Sequence, residues 1–358
     1  MLVHICCSID SDYFIKKLRQ TYPNEPLLAY FYDPNIHPYS EYLLRFSDVK
    51  RSCKKLGVPL ICGEYDYESW LSGTKGLENE PEKGKRCEYC FDFRVNQSAK
   101  KAIELGESTI TTTLLMSPKK NFNQLENSLK SVSERYGLKY LAIDFRKGGG
   151  TSEQFNNAKK EKLYHQNYCG CLYALNAQRS QNEAWELISP LGAQTQPASI
   201  KSRLKLYKKV RKCEKLKQDY ELNRVKILNY RLKNARLSFD GVVMDSYFLF
   251  YSYINKGFTR FNAIENKNIF YGKDEVWLVS LKHFNNLANF NYKSVRELIY
   301  SPPKLKAELH IRKKLCGKNS LNPIIILDKI LSAKCEIQID SVLFHSSVEK
   351  LKVKNHKF

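Results

Sequence analysis

Six cysteines and one aspartate, grouped in three short segments, are the side chains of this sequence best suited to chemistry. Two adjacent cysteines near the N-terminus precede the aspartate, a Cys-x-x-Cys pair follows, and a Cys-Gly-Cys triplet comes later. They are Cys6, Cys7, Asp10, Cys87, Cys90, Cys169 and Cys171. Closely spaced thiols are typical ligands of zinc and of iron–sulfur clusters. The sequence therefore predicts a metal site, and a redox enzyme if the metal is iron.

The spacing of these cysteines leaves two kinds of metal site open, zinc and iron–sulfur. A zinc ribbon needs its second pair about 15–20 residues after the first, whereas 78 residues separate Cys90 from Cys169. A thioredoxin-type pair would use only Cys87 and Cys90. Simple burial accounts for the cysteines that stand alone, which are assigned no role: Cys53, Cys62, Cys213, Cys316 and Cys335.

Adjacent Cys6 and Cys7 follow the first apolar run of the chain. Successive side chains of a strand point to opposite faces. We therefore expect the two thiols to diverge and to serve two different metal centres.

The first half of the chain alternates strand and helix patterns, which predicts the scaffold for these residues. The apolar and β-branched runs are LVHICC, LLAYFYD, VPLICGEYD, STITTTLLMS and LKYLAIDFR, with helical segments between them. Strands separated by helices imply crossover connections and a mostly parallel α/β sheet. Ligands of such sheets bind beyond the carboxyl ends of the strands. The sequence places six candidate residues there: Cys6, Cys7, Asp33, Pro34, Asn35 and Ser117.

The chain of 358 residues is long enough for two domains. We predict a metal-binding catalytic domain over 1–188, a linker over 189–200 with two prolines and small polar residues, and an accessory domain over 201–358. The basic segment from Lys201 to about Leu237 is expected to be one long helix. The strand-like runs that follow predict a smaller α+β domain.

Positive charge is concentrated in the second half. The net charge is +22, and residues 181–358 hold 33 Lys and Arg against 16 Asp and Glu, which is +17. Such an excess favours a polyanionic partner, most commonly nucleic acid. A solvated helix face without any ligand is the alternative.

The compartment follows from the cysteines and from the N-terminus. The chain starts MLVHICCSID, without a basic stretch before an apolar core, and no run of 18 uncharged apolar residues follows. This pattern predicts neither a secretory signal nor a membrane span. Eleven cysteines are then expected to stay reduced in the cytoplasm, available to metal.

Six segments of residues 1–180 resemble one known family. They are HICCSID, FYDPNIHPYSEYLLR, RCEYCFDFR, TTTLLMSPKKN, DFRKGGG and QNYCGC, and in this order they resemble epoxyqueuosine reductases of the QueH type. The resemblance implies a HUP-like fold and, as substrate, tRNA with a GUN anticodon that carries epoxyqueuosine at the wobble position. The product would be queuosine-modified tRNA. The family pattern has Asn where this chain has Asp33.

The resemblance also implies cofactors, namely a [4Fe–4S] cluster beside a single iron held by two cysteines and an aspartate. A provisional division gives the cluster Cys7, Cys87, Cys90 and Cys171. It leaves the iron Cys6, Asp10 and Cys169. An external electron donor is required, and no flavin or nicotinamide fingerprint identifies it.

Reduction of an epoxide to an alkene removes oxygen as water and needs two electrons and two protons. Asp10 is predicted to be catalytic as an iron ligand, and His37 and Tyr168 are the candidate proton donors. Tyr39 is a candidate platform on which an RNA base could stack. The substrate-contact candidates all lie in or beside the family segments: Asn35, Tyr39, Arg94, Lys119 and Arg146.

Two other functions compete with the reductase. A tRNA-thiolation enzyme of HUP fold would carry a Ser-Gly-Gly-x-Asp-Ser loop after its first strand. Here Cys6, Cys7, Ser8, Ile9 and Asp10 stand there, with no glycine to cradle a pyrophosphate. A metal-stabilised tRNA-binding protein without catalysis is the second alternative.

Overall fold

The computed structural model describes residues 1–178, 195–317 and 319–354. The chain divides into two compact units, Met1–Glu183 and Ala184–Phe358. The predicted boundary at residues 188 and 189 and the first half of the predicted linker, 189–194, lie outside the described residues. In the described ranges, no helix combines the length and apolar character that crossing a membrane requires.

The first unit contains a five-stranded parallel sheet with the order β3-β2-β1-β4-β5. The central strand pairs through Leu2 with Leu28 on one side and with Ile110 on the other. Its strands are β1 (Leu2–Ile5), β2 (Leu28–Phe31), β3 (Leu60–Cys62), β4 (Thr109–Thr112) and β5 (Lys139–Tyr140). The predicted mostly parallel α/β sheet is confirmed, although the fifth strand is much shorter than its apolar run.

Helices flank this sheet because the chain must return to the same sheet edge after each strand. They are α1 (Ser8–Thr21), α2 (Tyr39–Leu56), α3 (Tyr67–Gly73), α4 (Lys85–Glu104), α5 (Phe122–Tyr136), α6 (Gly150–Lys160) and α7 (Leu172–Gln178). The core lies between helices and sheet, with Leu2, Ile5, Phe14 and Phe31 wholly buried. This packing fixes the carboxyl ends of β1, β2 and β4 close together.

The second unit is built on a long antiparallel ribbon. Strands β6 (Tyr220–Phe239) and β13 (Ala333–Val353) pair from Phe239–Cys335 to Tyr220–Val353. Strands β7 (Val242–Val243) and β9 (Phe258–Ala263) widen one end into a four-stranded sheet. Helix α8 (Ile200–Lys215) packs through Val210 and Cys213 against the other end.

A second sheet with helices completes this unit. Its strands are β8 (Ser246–Phe248), β10 (Ile269–Tyr271), β11 (Trp277–Ser280) and β12 (Ile324–Leu327). Its helices are α9 (Leu281–Ala288), α10 (Val295–Tyr300) and α11 (Leu305–Cys316). Phe284, Leu298 and Ile324 are wholly buried in the core they share. The predicted α+β character of the second unit is confirmed.

The prediction of one helix from Lys201 to Leu237 was wrong beyond Lys215. Helical periodicity ends there, Lys217 has a positive φ of 53°, and β6 begins at Tyr220. From Tyr220 onward apolar residues recur at every second position, as in Leu228, Tyr230 and Leu232, and this alternation favours a strand. Lysines and arginines occur on both sides of the junction, so the change from helical to strand periodicity is difficult to see in the sequence.

Candidate metal centre and active-site cavity

Cys6, Cys7 and Asp10 converge where β1 passes into α1. The Cys6 sulfur lies 3.7 Å from the Cys7 sulfur and 3.7 Å from Asp10 Oδ2. One ligand atom from each of the three lies within 4.8 Å of the others, and all three residues are buried. Two thiols and a carboxylate at this spacing can bind one metal ion.

The expectation that Cys6 and Cys7 diverge was wrong. Cys7 is the N-cap of α1, so the strand has ended and the alternation of side chains no longer holds. The turn into the helix brings both sulfurs to the same side. It also places Asp10 in the first helical turn, facing Cys6.

Burial strongly perturbs this triad of Cys6, Cys7 and Asp10. It raises the pKa of Asp10 to about 6, against the opposing effect of hydrogen bonds from Cys7 and Gln154. The hydrogen bond with Cys6, together with burial, raises the pKa of the Cys7 thiol. Charging these groups in a buried site is unfavourable without a cation, so a metal ion would displace their protons and stabilise them.

Three of the other four thiols interact with one lysine. Lys120 Nζ is 2.7 Å from the Cys169 sulfur and also interacts electrostatically with Cys87 and Cys90. A hydrogen bond between Cys169 and Cys171 lowers the pKa of Cys169 and raises that of Cys171. Although burial opposes it, the interaction with Cys169 raises the pKa of Lys120. Within the described residues, the triad brings its three ligand atoms within 4.8 Å of one another, and the other four thiols form a looser group.

Local structure explains how each of the two cysteine pairs is arranged. Cys87 and Cys90 lie in the first two turns of α4, one helical turn apart and therefore on one face. The Cys-Gly-Cys triplet precedes α7 and turns at Gly170, whose φ is +128°. A side chain on Gly170 would place its Cβ 3.1 Å from Arg45 Nη1, so only glycine fits without displacement.

Arg45 of α2 holds the loop that carries Cys169 and Cys171. Its guanidinium donates to the carbonyl oxygens of Cys169 (2.9 Å) and Tyr168 (3.0 Å), and to Glu41 (2.8 Å). The arginine is buried, and a buried charge with all these partners is well satisfied. Its bonds fix the backbone of Cys169, a predicted metal ligand, and of Tyr168, a predicted proton donor.

A cavity of about 290 Å³ opens beside the triad. Cys6 and Asp10 form part of its wall, and the segment from Ser117 to Lys120 forms another part. Three predicted substrate-contact residues line it, namely Asn35, Arg94 and Lys119, and so does Tyr168. Because metal-binding groups and polar side chains share this wall, the cavity can hold a ligand against the metal site.

His37 and Tyr39 lie outside the lining of this cavity. The His37 ring stacks on Tyr67 at 5.1 Å, and burial lowers its pKa. The hydroxyl of Tyr168 donates to the His37 carbonyl oxygen. Tyr39 is half exposed and packs against Tyr65 at 4.9 Å. Neither His37 nor Tyr39 is therefore positioned to contact a ligand in the cavity.

Arg146 is engaged within the protein. Its guanidinium pairs with Asp144 at 2.7 Å and donates to the carbonyl oxygens of Ser117 and Lys120 at 3.2 and 3.1 Å. These bonds hold the loop that presents Lys120 to Cys169. The geometry favours a positioning role for Arg146 over direct substrate contact.

Sequence reasoning missed three residues of the site, Arg45, Lys120 and Gln154. The Gln154 amide donates to Asp10 Oδ1 at 2.6 Å. Arg45 and Lys120 lie inside two of the segments that carry the family resemblance, so a signal for them was present. Gln154 lies outside all six segments, and only the fold brings α6 to α1.

Comparisons with known proteins identify the family of this chain. The family model described as epoxyqueuosine reductase QueH matches residues 1–177. A curated epoxyqueuosine reductase QueH from Helicobacter pylori is 38% identical and covers 97% of this chain and 99% of its own. One from Thermotoga maritima is 35% identical and covers 51% of this chain and 93% of its own.

Among solved structures, the U34-tRNA thiolase NcsA from Methanococcus maripaludis with its [4Fe-4S] cluster has a TM-score of 0.33 and 17% identity. The match covers 59% of this chain and 73% of that one. A likeness this distant supports no conclusion about the present chain. The match to the Helicobacter relative, by contrast, extends over nearly the whole of both sequences, and this chain belongs to the epoxyqueuosine reductase QueH family.

Proposed function

We propose that this protein reduces the epoxide of epoxyqueuosine, at the wobble position of tRNA, to the alkene of queuosine. The observation that carries the proposal is the buried triad of Cys6, Cys7 and Asp10 in the wall of a cavity, in a chain of this family. The reaction removes one oxygen as water and consumes two electrons and two protons. The electrons come from an external donor.

The donor set fits the two metal groups that the family implies. We assign the single iron to Cys6, Cys7 and Asp10, and the [4Fe–4S] cluster to the group of four thiols. The assignment differs from the provisional division in exchanging Cys7 and Cys169. Its support is the 3.7 Å approach of the Cys6 and Cys7 sulfurs and the interaction of Lys120 with three of the other thiols. The four are Cys87, Cys90, Cys169 and Cys171.

When bound, the cluster supplies single electrons and the iron a Lewis acid for an epoxide oxygen. The protein's own residues orient these ligands and shape the cavity. Gln154 donates a hydrogen bond to Oδ1 of Asp10, and Oδ2 of Asp10 faces the Cys6 sulfur. Of the two proton-donor candidates, Tyr168 is the better placed because it lines the cavity.

Recognition of tRNA involves the second unit in this proposal. Helix α8 carries exposed lysines at positions i, i+4, i+7, i+11 and i+14, which form one row on a helix. We call this row the lysine stripe, and it consists of Lys201, Lys205, Lys208, Lys212 and Lys215. The helix's own acidic residue, Glu214, pairs with Arg211. The stripe spans about 21 Å, and we assign it to phosphates of tRNA outside the anticodon. The proposed compartment is the cytoplasm, where free thiols stay reduced.

The deciding experiment is reduction in vitro. Anaerobically purified protein, reconstituted with iron and sulfide, is incubated with epoxyqueuosine tRNA and dithionite, and the nucleosides are identified by mass spectrometry. We expect queuosine, about five iron and about four sulfide per chain. Protein with that metal content that returns only the epoxide would refute the proposal. A Cys6→Ser variant serves as the control for non-enzymatic reduction.

A further inference from the structure

Two residues that line the cavity have buried acceptor atoms without a partner among the described residues. Asp33 and Asn35 follow β2 and are 0% and 2% exposed. One carboxylate oxygen of Asp33 accepts a hydrogen bond from Arg94, and its Oδ2 has no partner in the described part of the chain. The same holds for Asn35 Oδ1. Both residues line the cavity.

Buried polar atoms of native proteins are nearly always hydrogen-bonded, because desolvation without compensation costs free energy. Two unpaired oxygens on one cavity wall are therefore unusual. Cys6 and Asp10 line the same cavity. A ligand that satisfied the two oxygens would at the same time lie against the triad.

We propose that Asp33 and Asn35 bind the hydroxyl or ammonium groups of the modified base and so aim its epoxide ring at the triad. This inference rests on the proposed function and makes the two residues determinants of substrate specificity. Both free atoms are acceptors, so the matching ligand group is a hydrogen-bond donor. An RNA phosphate, which has only acceptors and a negative charge, is excluded from this wall.

The volume of the cavity also supports binding of the modified base. Its volume of about 290 Å³ is at the lower limit of small-molecule sites. That volume accommodates a substituted ring, while the phosphates of the nucleotide stay at the surface. Lys119, which is exposed and lines the cavity, lies where such a phosphate would pass.

The main test is Asn35→Leu, which replaces the amide by an apolar group of similar size. We expect the KM for epoxyqueuosine tRNA to rise about tenfold, with iron and sulfide content unchanged. The melting temperature of the substrate-free protein should stay the same or rise, because an unsatisfied buried acceptor has been removed. A purely structural role of Asn35 predicts the opposite change in melting temperature.

Ser133→Ala is the matched control. Ser133 lies in α5, is 1% exposed, and its hydroxyl also has no partner in the described residues, but it does not line the cavity. Its removal should leave KM unchanged. Asp33→Asn is a second variant of nearly the same size, and it replaces the buried ion pair with Arg94 by a neutral contact. It keeps one acceptor and loses the charge, so we expect a rise in KM of about threefold.

The outcomes separate this inference from the proposed function. If the wild-type protein fails to reduce the epoxide, the proposed function itself is wrong. If the wild-type protein is active while Asn35→Leu and Asp33→Asn keep the wild-type KM, the acceptor wall does not bind substrate. A lower melting temperature of Asn35→Leu at unchanged KM would assign Asn35 to the fold alone.

Discussion

The two units of this protein expose their chemically important groups in opposite ways. In the first, the triad is buried, with Cys7 1% and Asp10 6% exposed. In the second, the lysine stripe lies on the surface of α8. A buried ligand set depends on the packing around it, because Gln154 of α6 must reach Asp10 at the junction of β1 and α1. A surface stripe requires only that one helix forms.

We infer from this difference that the two units have different functions. A relative from Thermotoga matches only about half of this chain, and the family model ends at residue 177. The metal chemistry should therefore belong to the first unit, and the second should contribute affinity for a polyanion. Substitutions of the proposed metal ligands in the first unit are expected to abolish catalysis. Substitutions of the lysine stripe in the second unit are expected to weaken tRNA binding without lowering the rate at saturating tRNA.

The largest effect is expected from Cys90→Ser. Cys90 is proposed to hold the cluster, and serine is a poor replacement for a soft thiolate. We expect loss of sulfide and of absorbance near 400 nm, and a fall in reductase activity of at least about a hundredfold. Cys53→Ala is the control, since Cys53 is buried in α2 without a proposed ligand role. Full sulfide content in Cys90→Ser would remove Cys90 from the cluster.

A smaller and more selective effect is expected from Gln154→Leu. The variant loses the 2.6 Å hydrogen bond to Asp10 but leaves all six cysteines in place. Loss of such a supporting bond lowers metal affinity about 10- to 100-fold. A chelator titration should therefore remove one iron per chain at lower chelator concentration, while sulfide remains.

Asn157→Leu provides a close control for Gln154→Leu. Asn157 lies on the same helix, α6, and donates to the neighbouring carboxylate of Asp12 at 2.9 Å. Asp12 is not a proposed ligand, so the iron affinity should be unchanged. Equal losses of iron in both variants would show that α6 acts through packing rather than through Asp10.

Much of the first unit was predictable from the sequence because its signals are local. The alternation of apolar runs and helices gave the parallel sheet, and Cys-x-x-Cys and Cys-Gly-Cys each bring their thiols together over a few residues. The direction of Cys7 was not predictable, since it depends on where β1 ends and α1 begins. The bond from Gln154 to Asp10 spans 144 positions and has no local signal.

The second unit shows a different limit. Its charge could be read from composition, but the transition from α8 to β6 was missed because lysines and arginines continue through both elements. Basic residues tolerate exposed positions of helices and strands alike. Only the apolar period separates the two, and it changes at Lys217, where the backbone turns through a positive φ.

The triple variant Lys201→Gln, Lys208→Gln, Lys212→Gln tests the binding role of the lysine stripe. Each phosphate contact on single-stranded nucleic acid contributes about 0.7 to the slope of log affinity against log salt. We expect the slope to fall by about 2 and the tRNA affinity by about tenfold near physiological salt, with an unchanged rate at saturating tRNA.

The control for this variant makes the same charge change elsewhere in the second unit. Lys282, Lys293 and Lys306 are exposed and lie outside α8, and the control replaces all three by glutamine. Equal losses of affinity in the two triple variants would mean that net charge matters and that the stripe has no special position.

The smallest effect is expected from Lys119→Gln, which tests whether exposure or location decides the role of a lysine. Lys119 belongs to the first unit and lines the cavity, yet it is exposed like the lysines of α8. We expect the KM for tRNA to rise about threefold at low salt and to approach the wild-type value above about 0.5 M salt, where screening acts over a few ångströms.

The neighbouring Lys120, which is hydrogen-bonded to the Cys169 sulfur, provides the comparison. Lys120→Gln should lower activity at every salt concentration, because a contact buried beside the thiols is screened much less. If both variants showed the same salt dependence, exposure would not separate binding lysines from those of the metal centre.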